Sequence, residues 1–129
     1  MKKRLIIPKD GPAAVGPYSP AVAAGGFLFV SGQIPLNPQT GEIIKDSFDS
    51  QVRQTLENLR CIVESSGLTL DDVVKVTVFL IDLARFNELN QIYGDYFSSG
   101  KPARACVQAA ALPKGVEVEI EAIAYFPTE

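Results

Sequence analysis

The sequence contains no histidine. This absence excludes Ser–His and Cys–His nucleophile pairs, histidine-liganded zinc and imidazole proton transfer. Acid and base chemistry would therefore depend on carboxylates, tyrosines, lysines or bound water. Only two cysteines are present, Cys61 and Cys106, in different predicted elements and without a Cys-x-x-Cys spacing. We expect both to be reduced thiols in a cytoplasmic protein.

Long apolar runs and clustered positive charges are also missing. The apolar run that follows the basic residues 2–4 ends after three residues, at Pro8, which does not match a signal peptide. No stretch approaches the roughly 20 apolar residues of a membrane span. The formal net charge is −3, and the twelve basic residues are spread thinly. Because no basic stripe is available to bind phosphates, we expect neither a membrane nor a nucleic acid as partner.

The composition is that of an ordinary globular chain, with 47% hydrophobic and 21% charged residues over 129 positions. This length suffices for one hydrophobic core and leaves no room for a second domain. We therefore predict a single domain over residues 1–129.

The first half of the chain predicts two stretches of strand and a helix. Residues 2–7 and 21–34 have strand character, and Gly25-Gly26 predicts a tight turn within the second stretch. An N-cap at Asp46 or Ser47 and a stop at Gly67 delimit the predicted helix. Its apolar positions have helical spacing: Val52, Leu56, Leu59 and Val63.

The second half predicts strand, helix and two further strands. A buried strand at 73–81 is followed by Asp82, which we expect to cap a second helix. Two strands, 103–111 and 117–126, flank a turn at 113–115. One face of the second helix carries Phe86, Leu89, Asn90, Tyr93 and Phe97.

This order of elements predicts an α+β fold in which two helices pack on one face of a sheet. The other face of the sheet would stay uncovered in a single chain. Because that face would include apolar residues, we expect a second copy of the chain to cover it.

Arg104 lies in a stretch, 102–112, whose other residues are apolar, small or uncharged. A guanidinium cannot lose its proton on burial, so it needs an anionic partner. That partner is either a carboxylate of the segment 117–121 or the carboxylate of a ligand. Planar, bidentate contact suits both alternatives.

The last predicted strand alternates, with Glu117, Glu119 and Glu121 on one side and apolar residues on the other. The three carboxylates form either a solvated polar edge or part of an interface, where burial would raise a carboxyl pKa. A hairpin around 113–115 would put Arg104 on the face of Val118. A one-residue slip or a bulge would instead put it with Glu119.

Three other positions have both a structural and a functional interpretation. Cys106 shares the face of Arg104, and a small buried hydrophobe is the usual role of such a thiol. The turn at 16–20 would present the ring of Tyr18 either to the core or to a pocket. The segment Ser31-Gly32-Gln33 ends a strand where backbone could approach a ligand.

Taken together, these segments resemble the Rid family of reactive imine and enamine deaminases almost from end to end. Two features of the segment from Pro102 to Ala124 are specific to the family. They are Pro-Ala-Arg followed by Cys, and Val-Glu-Ile after a Leu-Pro-Lys turn. The matching segments are Gly16-Pro17-Tyr18-Ser19, Ser31-Gly32-Gln33-Ile34-Pro35, Gly41-Glu42, Gln54-Thr55-Leu56-Glu57-Asn58-Leu59 and the signature from Pro102 to Ala124.

The resemblance implies a chorismate-mutase-like fold and a homotrimer with three clefts between subunits, without metal or cofactor. It implies that Arg104 binds the substrate carboxylate and that Glu119 activates the water that attacks the imine carbon. The remaining implied binding residues are Tyr18, Ser31, Gly32, Asn90 and Cys106.

The implied reaction is hydrolysis of 2-aminoacrylate and 2-iminobutanoate tautomers to 2-keto acids and ammonia. A non-catalytic trimer that binds small carboxylates or a partner protein is the alternative. Ribonuclease activity, attributed to some relatives, fits poorly with an acidic chain that lacks histidine.

Overall fold

The structure, a computed structural model, describes residues 2–11 and 13–127. Residues 1, 12, 128 and 129 of the predicted domain lie outside the described part. The strands and helices are β1 (Arg4–Ile6), β2 (Ala21–Ala24), β3 (Phe27–Gln33), α1 (Phe48–Ser65), β4 (Val73–Leu80), α2 (Phe86–Tyr96), β5 (Ala103–Gln108) and β6 (Val118–Tyr125).

The strands form one six-stranded sheet in the order β1-β2-β3-β6-β4-β5. Every neighbouring pair is antiparallel except β4 and β5, which are parallel. Both helices pack against the same face, and the core lies between them and the sheet. The predicted α+β architecture is therefore confirmed.

Helix α1 begins and ends where the sequence predicts. The Ser47 hydroxyl accepts a hydrogen bond from the Ser50 N–H at 3.0 Å, which satisfies one of the free donors of the first turn. Gly67, with φ +85°, follows the C-terminus in the left-handed region that favours glycine. The four predicted apolar positions of this helix are fully buried.

The entry into α2 differs from the prediction. Asp82 accepts a hydrogen bond from the Ala84 N–H at 3.0 Å and caps a single 3-10 turn over 83–85, and α2 begins only at Phe86. The buried side of α2 carries Leu89 and Ile92. Phe86 is 37% exposed, so the predicted face of this helix is only partly a core face.

The predicted hairpin around 113–115 is wrong. Strand β5 pairs with β4 in parallel, and β6 lies on the other side of β4, between β4 and β3. Parallel neighbours need a crossover connection, which α2 supplies between β4 and β5. The strand–helix–strand order in the sequence is the pattern that predicts such a unit.

The face of the sheet opposite the helices is uncovered, as expected from the sequence. We call it the open face. Several large apolar side chains on its strands remain about two-fifths exposed. They are Phe27, Phe29, Val107 and Tyr125. Within the described residues, no helix is both long and apolar enough to cross a membrane.

Candidate functional site

A β-bulge interrupts β3 where it pairs with β6. Val30 lies opposite Ala122, whereas Gln33 lies opposite Ile120, so that β3 contains one residue more than β6 over this interval. The additional residue lies in the two-residue segment Ser31-Gly32, between the paired positions Val30 and Gln33. A bulge bends the strand locally and redirects its side chains, and bulges are frequent beside binding sites.

Glu119 lies next to this bulge, in β6 on the open face. It pairs across the sheet with Phe79 of β4, and its side chain is half-buried. A Cβ atom on Gly32 would overlap the Glu119 carboxylate and would lie 2.9 Å from its Cδ atom. Because Gly32 has no side chain, the space beside its backbone is available to the Glu119 carboxylate.

The environment of Glu119 raises the pKa of its carboxyl group. Burial is the main cause, because the charged form loses hydration, and the nearby carboxylate of Glu121 adds to it. A carboxyl group whose pKa is raised toward neutrality can both accept and return a proton, as acid–base catalysis requires.

Ser31 connects the bulge to the segment that carries Tyr18. Its hydroxyl donates to the Ser19 carbonyl at 2.6 Å, and its N–H donates to the Pro20 carbonyl at 2.9 Å. Tyr18 is 45% exposed, and its hydroxyl accepts a hydrogen bond from the Val15 N–H. Tyr18 and Gly32 line the same surface hollow. The structure thus places Tyr18 and Ser31 beside Gly32 on one side, with Glu119 against the same glycine.

Arg104 lies on the other face of the sheet. The parallel register pairs Arg104 with Val76, whose side chain is buried in the core beneath the helices. The guanidinium carbon lies 5.4 Å from the centre of the Phe86 ring and 4.7 Å from that of Tyr93. Strand β4 lies between β6, which carries Glu119, and β5, which carries Arg104 and forms the edge of the sheet. The two strands are therefore about 10 Å apart.

The proposed structural ion pair of Arg104 does not form within the described residues, where no carboxylate lies within 4.0 Å of its guanidinium. Glu117, one candidate for that pair, instead lies 3.9 Å from Arg85.

Cys106 and Asn90 lie on the same side as Arg104. Cys106 pairs with Val78, and burial raises the pKa of its thiol although the positive charge of Arg104 opposes this shift. The thiol is therefore neutral near pH 7. Asn90 is half-buried on α2, four residues after Phe86 and three before Tyr93, on the side of the helix that contacts Arg104.

The seven residues singled out from the sequence thus fall into two groups, one around Glu119 of the open face and one around Arg104 beneath the helices. The first group is Tyr18, Ser31, Gly32 and Glu119, and the second is Arg104, Cys106 and Asn90. Because the sheet lies between them, one small molecule cannot contact Glu119 and Arg104 of the same chain. Within residues 2–11 and 13–127, no cluster of three or more acidic or cysteine side chains could hold a metal ion.

The two rings beside Arg104 were not identified as site residues from the sequence. Tyr93 was assigned only to a helix face, yet its hydroxyl oxygen is buried without a hydrogen-bond partner among the described residues. Burial raises the pKa of Tyr93 to about 12. The only sequence signal was the spacing of Phe86 and Tyr93, two helical turns apart, which places both on one side of α2.

The fold and these two groups of residues define a class of small α+β proteins that present a carboxylate on the open face of a mixed sheet and an arginine beneath its helices. A family model, Endoribonuclease L-PSP, matches residues 8–126. The chain belongs to this family, which also carries the names RutC and Rid, and the resemblance found in the sequence is confirmed.

Individual relatives cover nearly the whole chain. RutC family protein PH0854 of Pyrococcus horikoshii is 50% identical over 123 residues, which are 95% of this chain and 98% of the relative. TdcF of Escherichia coli strain K12, provisionally named a reactive intermediate deaminase, is 47% identical over 95% of this chain and 96% of its own.

Solved structures show the same fold. A crystal structure of Escherichia coli TdcF with bound serine has a TM-score of 0.91 at 45% identity and covers 96% of this chain and 99% of its own. The Rid-family protein YyfA of Yersinia pestis, described as of unknown function, has a TM-score of 0.93 at 43% identity over 96% and 99% of the two chains.

Proposed function

We propose that this protein hydrolyses reactive enamine and imine intermediates of the 2-aminoacrylate and 2-iminobutanoate type to 2-keto acids and ammonia. The observation that carries the proposal is the Glu119 carboxyl group, which is held against Gly32 with a raised pKa. The provisional name of TdcF as a reactive intermediate deaminase supports the same reaction class.

In the proposed reaction, Glu119 removes a proton from a water molecule as its oxygen attacks the carbon of the C=N bond. Starting from the protonated imine tautomer, a C–O bond forms, the C=N π electrons move to the nitrogen, and a neutral carbinolamine results. Glu119 then returns the proton to that nitrogen, and the C–N bond breaks as the carbonyl forms. The hydroxyl proton passes through Glu119 to the departing ammonia, which leaves as ammonium. This hydrolysis consumes one water and needs no cofactor, since an iminium carbon is already electrophilic.

Arg104 has the complementary role of binding the substrate carboxylate through its guanidinium fork. Its lack of a carboxylate partner in the described part of the chain supports this role. Tyr18, Ser31, Gly32, Asn90 and Cys106 complete the proposed pocket, and Cys106 would contribute its backbone rather than a reactive thiolate. Orientation by these contacts, added to one acid–base group, suffices for a reaction with a low intrinsic barrier.

The site is proposed to form between subunits of a homotrimer. Arg104 and Glu119 lie on opposite faces of the sheet, so a complete site needs Arg104 from one subunit and Glu119 from its neighbour. The open face, with its exposed aromatic side chains, is the surface that such an assembly would bury.

The test couples an amino acid oxidase, which generates imino acids, to measurement of ammonia release with and without this protein. Wild type should accelerate release, and Arg104→Ala and Glu119→Gln should each abolish the acceleration. The two inactive variants are then unfolded together in equal amounts and refolded. Random assembly combines an intact Arg104 with a neighbour's intact Glu119 in about a quarter of the interfaces, so about a quarter of wild-type activity should return.

Recovery of activity in the mixture would support a site between subunits, whereas no recovery would argue for a site within one chain. If wild type binds 2-ketobutanoate saturably but does not accelerate ammonia release, the chain is instead a carboxylate-binding protein. The bound serine in the TdcF structure favours a small carboxylate ligand in either case.

A further inference from the structure

Arg104 differs from Arg53, Arg60 and Arg85 in what surrounds it. Arg53, Arg60 and Arg85 each lie close to a carboxylate, as in the 2.8 Å contact between Arg53 and Asp49. Arg104 has no such neighbour in the part of the chain that the structure describes. The rings of Phe86 and Tyr93 lie beside it instead, with their centres 5.4 Å and 4.7 Å from its guanidinium carbon.

Both rings come from α2, and a hydrogen bond connects the segment before this helix to the strand that carries Arg104. The two rings are seven residues apart, which places them on one side of the helix. The Gln108 side chain at the end of β5 accepts a hydrogen bond from the Leu83 N–H at 2.8 Å, just before α2 begins. This bond holds the start of the helix beside β5, so the helix face that carries the two rings lies next to Arg104.

We propose that Phe86 and Tyr93 are positioning residues that hold the Arg104 guanidinium ready for an external carboxylate. The proposal rests on the proposed function in taking that carboxylate to be the substrate's. A ring face attracts a cation through its quadrupole but has no oxygen atom to occupy the N–H fork. The rings therefore stabilise the charge while leaving its hydrogen-bond donors available to a ligand.

The first test measures binding of 2-ketobutanoate and of its uncharged carboxamide by calorimetry. Tyr93→Leu and Phe86→Leu should each weaken carboxylate binding by about tenfold and leave carboxamide binding within about twofold. Tyr93→Phe keeps the ring and should bind the carboxylate within about twofold of wild type. Phe86 is already 37% exposed, so its replacement by leucine should leave the fold intact.

The matched control is Tyr96→Leu, which removes a ring from the same helix. The Arg60 guanidinium carbon lies 5.0 Å from the centre of the Tyr96 ring, so this variant also deletes a ring–arginine contact. It should lower stability without changing the preference for carboxylate over carboxamide. A loss of that preference in Tyr96→Leu equal to the loss in Tyr93→Leu would overturn the proposal.

A double-variant cycle provides the second test. In an Arg104→Ala background, Tyr93→Leu should have no further effect on carboxylate binding, because the ring acts only through the guanidinium. Additive losses, equal losses for carboxylate and carboxamide, or unchanged binding in both leucine variants would each contradict the positioning role.

The binding readout separates this inference from the proposed reaction. If wild type binds 2-ketobutanoate without accelerating imine hydrolysis, the deaminase proposal fails while the positioning role is still decided by the variants. If wild type hydrolyses imines but the leucine variants keep the wild-type KM and carboxylate preference, the positioning role fails alone. Wild type that binds no carboxylate would overturn the positioning role as well.

Discussion

The carboxylate of Glu119 lies directly against the backbone of Gly32, in the space that any larger residue at position 32 would fill. The β-bulge in β3 brings this glycine next to β6. The position of the proposed acid–base group thus depends on the residue of a neighbouring strand.

We expect Gly32→Ala to reduce activity much more than stability. The new Cβ would lie 2.9 Å from Cδ and 3.1 Å from Cγ of Glu119, so the flexible side chain must move away. A displacement of this size can cost about 100-fold in rate, whereas the free energy of unfolding should change by no more than about 1 kcal/mol. Ammonia release and urea denaturation measure the two effects.

Gly94→Ala is the control for that substitution, because a Cβ at Gly94 would meet no atom within 4 Å apart from the backbone of its own helix. It should leave activity unchanged and stabilise α2 by about 1 kcal/mol. Full activity of Gly32→Ala would show that the close approach of these two residues has no part in catalysis.

Glu121→Gln should shift the pH dependence of the reaction. The negative charge of Glu121 helps to raise the pKa of Glu119, so its removal should lower that pKa. If the ionised Glu119 activates water, kcat/KM rises with pH through this pKa, and the rising limb should move to lower pH in the variant. Glu117→Gln is the control, since Glu117 is not among the causes of the Glu119 shift. An identical limb in wild type and Glu121→Gln would contradict the assignment.

The raised pKa of Glu119 should also make folding stability depend on pH. The folded state binds the proton of this group more tightly than the unfolded state, whose pKa is near the ordinary 4.5. The contribution to stability is therefore fully present below about 4.5 and is lost as pH rises through the folded-state pKa. Urea denaturation across this range should show a smaller loss in Glu119→Gln than in wild type, and equal losses would be inconsistent with the shift.

Asn58 should be important for stability because it satisfies buried backbone groups. It is 2% exposed, and its side-chain amide donates to the carbonyls of Ile34 at 3.1 Å and Leu36 at 2.8 Å. Asn58→Leu leaves both carbonyls without this donor and should lower the free energy of unfolding by about 3 kcal/mol. Gln54→Ala, which removes only one hydrogen bond to Asn58, should cost about 1 kcal/mol. Similar costs for the two variants in urea denaturation would refute this account.

Phe29→Glu should separate the subunits of the proposed trimer. Phe29 lies on the open face and is 45% exposed in one chain, so a charge there should not disturb the monomer core. It should be buried in the assembly, where an unpaired carboxylate is unfavourable. Sedimentation equilibrium should then show monomers, and activity should disappear. Ser65→Glu, on the exposed surface of α1, is the control and should leave the assembly intact. A fully active, associated Phe29→Glu protein would count against an interface on the open face.

Much of the local structure could be predicted from the sequence. The spacing of Val52, Leu56 and Leu59, with Ser47 and Gly67 at the two ends, predicted α1 correctly. The turn at Gly25-Gly26 was also predicted, and both glycines have positive φ. These features depend on neighbours within a few residues along the chain, where periodicity and capping chemistry act.

The pairing of β5 could not be settled in the same way. A short turn at 113–115 favoured a hairpin, whereas the structure pairs β5 with β4 across the length of α2. Register and partner choice depend on which apolar faces bury best together, and this involves residues distant in sequence.

By itself, the sequence determined which family the chain belongs to, because the signature from Pro102 to Ala124 is specific to that family. It also singled out Arg104 and Glu119 as the side chains proposed to carry the chemistry, because a chain without histidine has few other groups for it. Only the tertiary structure decided that these two residues lie on opposite faces of one sheet, with Phe86 and Tyr93 against the arginine and Gly32 against the carboxylate. The physical reason is that strand pairing assigns each residue to a face, and that pairing is made between segments far apart in the chain.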